Sequence, residues 1–137
     1  MKQLLSLILL LAGTQAFAQN IVVKPYLQNA EPTSMHIMWE TSTNGSTEVD
    51  YGLTNGLGTT VTGSSETGFI LSRVHDVHLT GLQPATKYYY KVRTDNTESS
   101  IYHFRTPPLQ SAEESFNIVA MSDMQQWGSY PTIFKDI

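Results

Sequence analysis

The stretch from Val77 to Arg93 restricts this chain to few folds, because two alternating runs and the corner joining them follow one another without a gap. From Thr86 onward, Tyr88, Tyr90 and Val92 point one way and Lys87, Tyr89, Lys91 and Arg93 the other. This period of two marks a half-buried strand, with the tyrosine and valine face toward a core. Upstream, Val77 and Leu79 alternate with His78 and Thr80. Gly81 to Ala85 then interrupt the pattern with a glycine and a proline, as a chain crossing from one sheet to another must.

The spacing Leu82-x-Pro84-x-Thr86-x-Tyr88 matches the corner of an immunoglobulin-like sandwich, where a tyrosine at the start of a strand hydrogen-bonds back to the preceding turn. Tyr88 is the candidate for that role. The rest of the chain supplies partners. Ile21 to Leu27 reads as an opening strand in which Pro25, lacking an amide donor, suits an edge or a bulge. After a turn over Asn29 to Thr33, Ser34 to Glu40 alternates cleanly. Met35, Ile37 and Trp39 share one face, with Trp39 the largest expected core residue, and His36, Met38 and Glu40 share the other. Glu48 to Gly52 and Thr59 to Thr62 form a hairpin around Asn55-Gly56, Gly63 to Gly68 reads as loop, and Val74 to Leu79 is the next strand. Beyond Val92, Thr94 to Glu98 is a turn and Ile101 to Thr106 the last strand. The expected fold is therefore an all-β, antiparallel, immunoglobulin-like sandwich of about seven strands.

Residues 1–18 are set apart as a signal peptide. Lys2 is a short basic region, Leu4 to Ala12 is an apolar run too short to span a bilayer as a helix, and Ala16-Phe17-Ala18 is a small-x-small cleavage site. The mature chain is expected to begin at Gln19 and to be exported, secreted or periplasmic, with no membrane span after cleavage. An exported small domain ordinarily carries disulfides, but this chain has 0 cysteines, so its core must hold unstapled and thiolate chemistry is excluded. A formal charge of −4 without a basic cluster disfavours nucleic acid as a partner.

The composition changes at Thr106-Pro107-Pro108. Residues 19–107 read as the sandwich domain, 108–115 as a polar linker, and 116–137 as the start of something different in kind. Phe116 to Met121 is a nearly continuous apolar run closing on Ser122-Asp123, which suits a strand of an α/β sheet buried on both faces. Ligands gather at the carboxyl ends of such strands, where Asp123 would sit. Pro131 to Ile137 could begin a crossover helix. One strand and half a helix do not make a sheet, so the chain is expected to stop inside its second domain. Asp123 has two readings that local sequence does not separate, a helix N-cap and a hard oxygen ligand for a metal. The four histidines are a poor metal set: His75 and His78 fall on opposite faces of one strand, while His36 and His103 stand apart. They are expected at the surface or rim.

Taken together, Lys24-Pro25-Tyr26-Leu27-Gln28, the strand end Met38-Trp39-Glu40, Tyr51-Gly52 and the Leu82-x-Pro84-x-Thr86-x-Tyr88-x-Tyr90 corner resemble the N-terminal fibronectin type III-like domain of purple acid phosphatases. Phe116 to Asp123 is similar to the first strand and first metal-binding aspartate of the calcineurin-like metallophosphoesterase domain that follows it. The resemblance implies hydrolysis of phosphate esters at a two-metal centre of iron, zinc or manganese, which activates water and stabilises charge on the phosphoryl oxygens. It also implies that the sandwich packs on the catalytic domain. Asp123 would be the first ligand. The family's opening motif, Asp-x-His or Asp-x-Gly, reads Asp123-Met124-Gln125 here, so only the amide oxygen of Gln125 stands where an imidazole would. The later motifs, Gly-Asp, Gly-Asn-His and the distal histidines, do not occur before Ile137. The expected function is thus the N-terminal portion of an exported metal-dependent phosphoesterase, with this polypeptide alone inactive and no metal bound tightly. The alternative is a secreted sandwich module that binds a protein or glycan without catalysis. An unpaired apolar Phe116 to Met121 is costly in a finished secreted protein and weighs against that alternative.

Overall fold

The structure, a computed structural model, describes residues 20–69 and 72–113. The expected signal peptide, the strand expected from Phe116, Asp123, Gln125 and the segment from Pro131 lie outside the described residues.

The described residues are all-β. Nine strands, β1 (Ile21–Glu31), β2 (Ser34–Thr41), β3 (Glu48–Gly52), β4 (Thr59–Thr62), β5 (Ser64–Thr67), β6 (Arg73–Thr80), β7 (Lys87–Thr94), β8 (Thr97–Glu98) and β9 (Tyr102–Arg105), form two antiparallel sheets. One sheet runs β1-β2-β6-β5; in the other β7 is central, with β3 and then β4 on one side and β8 and β9 on the other. The alternation read from the sequence is what closes the sandwich. Met35, Ile37, Trp39, Val77 and Leu79 from the first sheet meet Val49, Tyr88, Tyr90, Val92 and Phe104 from the second, with Leu82 of the corner completing the core. Trp39 is the largest fully buried side chain, and its indole N–H donates to the Thr94 hydroxyl at 3.0 Å. That bond spares the one polar atom of the ring from being unpaired in a dry interior.

Two strands exceed the expected seven. Ser64–Thr67, expected as loop, pairs with β6 from Ser64↔Asp76 to Thr67↔Arg73. Thr97–Glu98, expected within a turn, pairs with the end of β7. Both are edge strands without apolar residues, so backbone hydrogen bonding creates them and no side-chain period announces them. β1 also runs further than expected, to Glu31↔Ser34, leaving a tight turn at Pro32-Thr33. A register irregularity between Gln28 and Glu31, with Asn29 at φ 49°, absorbs the extra residues as a bulge. A second irregularity spans Pro25 on this edge strand, between Val23 and Tyr26. In the β3–β4 hairpin, Leu57 N–H closes a turn on the Thr54 carbonyl around Asn55-Gly56. The left-handed conformation falls on Leu57 (φ 55°) and Gly58 (φ 128°), after the Asn-Gly pair.

Candidate functional site

Asp123 and Gln125 lie outside the described residues, so the site the structure does describe is the pole of the sandwich where the chain leaves β9. Tyr88, buried at the start of β7, accepts a hydrogen bond from the Gln83 backbone N–H at 2.9 Å, the bond that the corner spacing predicts. Thr106 grips the same corner from the other side. Its hydroxyl donates to the Gln83 carbonyl at 2.6 Å and accepts from Thr86 N–H at 3.0 Å, while Thr106 N–H reaches the Thr86 carbonyl. One residue on, the Pro107 carbonyl accepts from Ala85 N–H at 3.1 Å. Ala85 itself sits at φ 49°, a conformation that costs a non-glycine residue about 1 kcal/mol and persists only where its neighbours over-determine it. The corner and the exit are therefore one hydrogen-bonded block, and the chain's direction at Pro107 is set by it. Beside this block opens a groove of about 390 Å³, lined by Tyr51, Leu53, Leu57, Leu82 and Tyr88 among others. From Pro108 to Glu113 no strand forms, and Ala112 N–H closes a turn on the Leu109 carbonyl.

The histidines separate into two environments. His36 and His78, directly opposed across β2 and β6 on the outer face, stack at 4.1 Å and 12°, and His36 Nδ1 meets the Asp76 carboxylate at 2.9 Å. An Asp–His pair suggests hydrolytic chemistry, but the neighbouring Ser34 hydroxyl donates to Glu31 at 3.1 Å. Among the described residues no hydroxyl engages His36, so no nucleophile is activated there. His75 corrects the expectation of surface or rim histidines: it is 0% exposed, stacked on Trp39 at 4.8 Å. Thr41 donates its hydroxyl proton to the Thr43 carbonyl at 2.7 Å, so towards His75 Nε2, at 2.8 Å, it accepts. Nε2 must then carry the ring proton, and Nδ1 accepts from the Thr47 hydroxyl at 2.7 Å. Both ring nitrogens are satisfied by the neutral form. Burial first, and the Arg73 charge second, push the His75 pKa below 6.5, with Asp95 opposing weakly. The inward phase of His75 was readable from its alternation with Val77 and Leu79; its two threonine partners, Thr41 at the end of β2 and Thr47 in the connection before β3, were not.

Among the described residues no group of three or more His, Cys, Asp or Glu side chains could hold a metal ion. Among them, too, no helix is long and apolar enough to cross a membrane.

The outer face of the second sheet is polarised. Arg93 is 2.7 Å from Glu48 and 3.7 Å from Asp50, and Lys91 is 2.8 Å from Glu98. At the exit end the pattern changes to Lys87 opposite Arg105 and Tyr89 opposite His103. Residues 22–106, which hold the corner, Thr106 and nearly all of both sheets, match the family model of the purple acid phosphatase N-terminal domain. The chain belongs to that family. The purple acid phosphatase N-terminal domain seen here also has structural neighbours. The sensor domain of the anti-sigma factor RsgI4 of Pseudobacteroides cellulosolvens, in a shorter version, is 18% identical with a TM-score of 0.52, covering 69% of this chain and 100% of that one. A longer version of the same domain is 20% identical with a TM-score of 0.51, covering 73% of this chain and 100% of that one. At these identities the likeness shows the β-sandwich fold alone. No curated protein matches the chain.

Proposed function

We propose that this chain supplies the N-terminal domain of an exported, metal-dependent phosphoesterase that hydrolyses phosphate esters, and that the sandwich orients the catalytic domain following it. The family match over residues 22–106 carries the reading. The exit lock supports it: a domain that must hold a neighbour in register benefits from a chain whose departure is fixed by Thr106 and by the Pro107–Ala85 bond. Catalysis would belong to residues beyond the sandwich, with Asp123 as first ligand of an iron, zinc or manganese centre and Gln125 beside it.

A single aspartate does not assemble a two-metal centre, which takes several protein ligands. The 137-residue chain is therefore expected to show no phosphatase activity. Titration with zinc, iron and manganese against a chromogenic phosphomonoester tests this, with Asp123→Ala as the control. Turnover clearly above that control would overturn the claim of inactivity.

A further inference from the structure

We propose that Lys87, Tyr89, His103 and Arg105, on the outer face of β7 and β9, form a binding surface for a small phosphate-bearing anion. Lys87 and Arg105 are direct cross-strand partners, an arrangement of like charges that destabilises a sheet unless an anion lies between or over them. Elsewhere on the same face every cation is answered by acid: Arg93 by Glu48 and Asp50, Lys91 by Asp50 and Glu98. Among the described residues neither Lys87 nor Arg105 has a carboxylate partner. The absence of acid is thus confined to one end of an otherwise balanced face, in a chain whose overall charge is −4.

The lysine is also held in place. Lys87 Nζ lies over the Tyr89 ring, 4.9 Å from its centroid, which holds the ammonium against the sheet. Tyr89 in turn packs on His103 at 6.0 Å. Lys87, His103 and Arg105 are all exposed. A guanidinium offers paired donors to phosphoryl oxygens, an ammonium adds charge, and an imidazole N–H can add a further donor. The surface stands one residue from the exit lock on both strands, since Thr86 precedes Lys87 and Thr106 follows Arg105. On the phosphoesterase reading, an anion held there would lie where the chain departs towards the catalytic domain. The preference for phosphate over other anions rests on the phosphoesterase reading; the unbalanced cation pair does not.

The test is calorimetry and amide-shift titration of the 137-residue chain with inorganic tripolyphosphate, compared with citrate at equal ionic strength. Saturable binding of tripolyphosphate is expected, with shifts centred on Lys87, His103 and Arg105. Lys87→Gln and Arg105→Gln should each weaken it by about tenfold, the loss of one charge-assisted contact. Lys24→Gln, on the opposite sheet, should leave it unchanged. Citrate binding as tight as tripolyphosphate, or affinity indifferent to both substitutions, overturns the proposal. So does a melting temperature altered by Arg105→Gln with tripolyphosphate binding intact, which would assign the pair to an intramolecular partner. The readout is binding by this chain and not turnover, so it can fail while the phosphoesterase reading stands, and the reverse.

Discussion

His75 makes the stability of this sandwich depend on pH in a direction the structure dictates. Its neutral ring donates through Nε2 to Thr41 and accepts at Nδ1 from Thr47, and it is fully buried against Trp39. Protonation would place a hydrogen on Nδ1, force the Thr47 hydroxyl to reverse, and leave a cation without a carboxylate in contact. The folded pKa accordingly lies below the ordinary 6.5. Between the folded value and 6.5 the unfolded chain holds one more proton than the folded chain. The contribution of His75 is therefore complete above about pH 6.5, declines as pH falls towards the folded pKa, and levels off below it, with a slope of at most about 1.4 kcal/mol per pH unit. Urea unfolding at half-unit steps from pH 8 to 5, for the native chain and for His75→Gln, isolates the effect. The stability gap between the two should be widest above pH 6.5 and narrow steadily below it. A gap that stays constant across the range would refute the neutral, doubly hydrogen-bonded assignment. Ring-nitrogen shifts of His75 characteristic of the neutral form at pH 6 provide the same check without a substitution.

Tyr88→Phe removes the acceptor for Gln83 N–H and is expected to cost about 1 kcal/mol, because water reaches the exposed Gln83 in part; the shift in urea midpoint measures it. Gly63 stands where the chain passes from β4 to β5, and a Cβ there would collide with the Asp76 carbonyl oxygen and lie 2.8 Å from Val77 Cγ2. Gly63→Ala should therefore destabilise by about 1–3 kcal/mol, while Gly56→Ala, whose added Cβ meets only the Thr54 hydroxyl at 3.5 Å, serves as the near-neutral comparison in the same assay.

What the sequence revealed and what it hid follow from the kind of force at each position. The faces of β2, β6 and β7 were legible because Met35, Ile37 and Trp39, Val77 and Leu79, and Tyr88, Tyr90 and Val92 repeat every two residues, and burial sorts such side chains directly. Tyr88 was legible because the corner has its own spacing. β5 and β8 were not, since Ser64–Thr67 and Thr97–Glu98 are held at sheet edges by main-chain bonds that any polar residues allow. His75 was misplaced for another reason. A histidine is buried only when partners for both nitrogens arrive, and here they arrive from Thr41, 34 residues away, and Thr47, 28 away. The pairing of Lys87 with Arg105 likewise needed the register of β7 on β9. Lys87 could be assigned outward from its own strand, but the residue opposite it could not be read from that strand alone.

That the sandwich serves a phosphoesterase is tested most directly by reading the coding sequence past the codon for Ile137 and assaying the product of the whole frame. The prediction is an open frame encoding the later Gly-Asp and Gly-Asn-His motifs, and a product that hydrolyses a chromogenic phosphomonoester until Asp123→Ala abolishes turnover. A stop codon directly after Ile137 in an intact transcript, or a whole product whose turnover is untouched by Asp123→Ala, would contradict it.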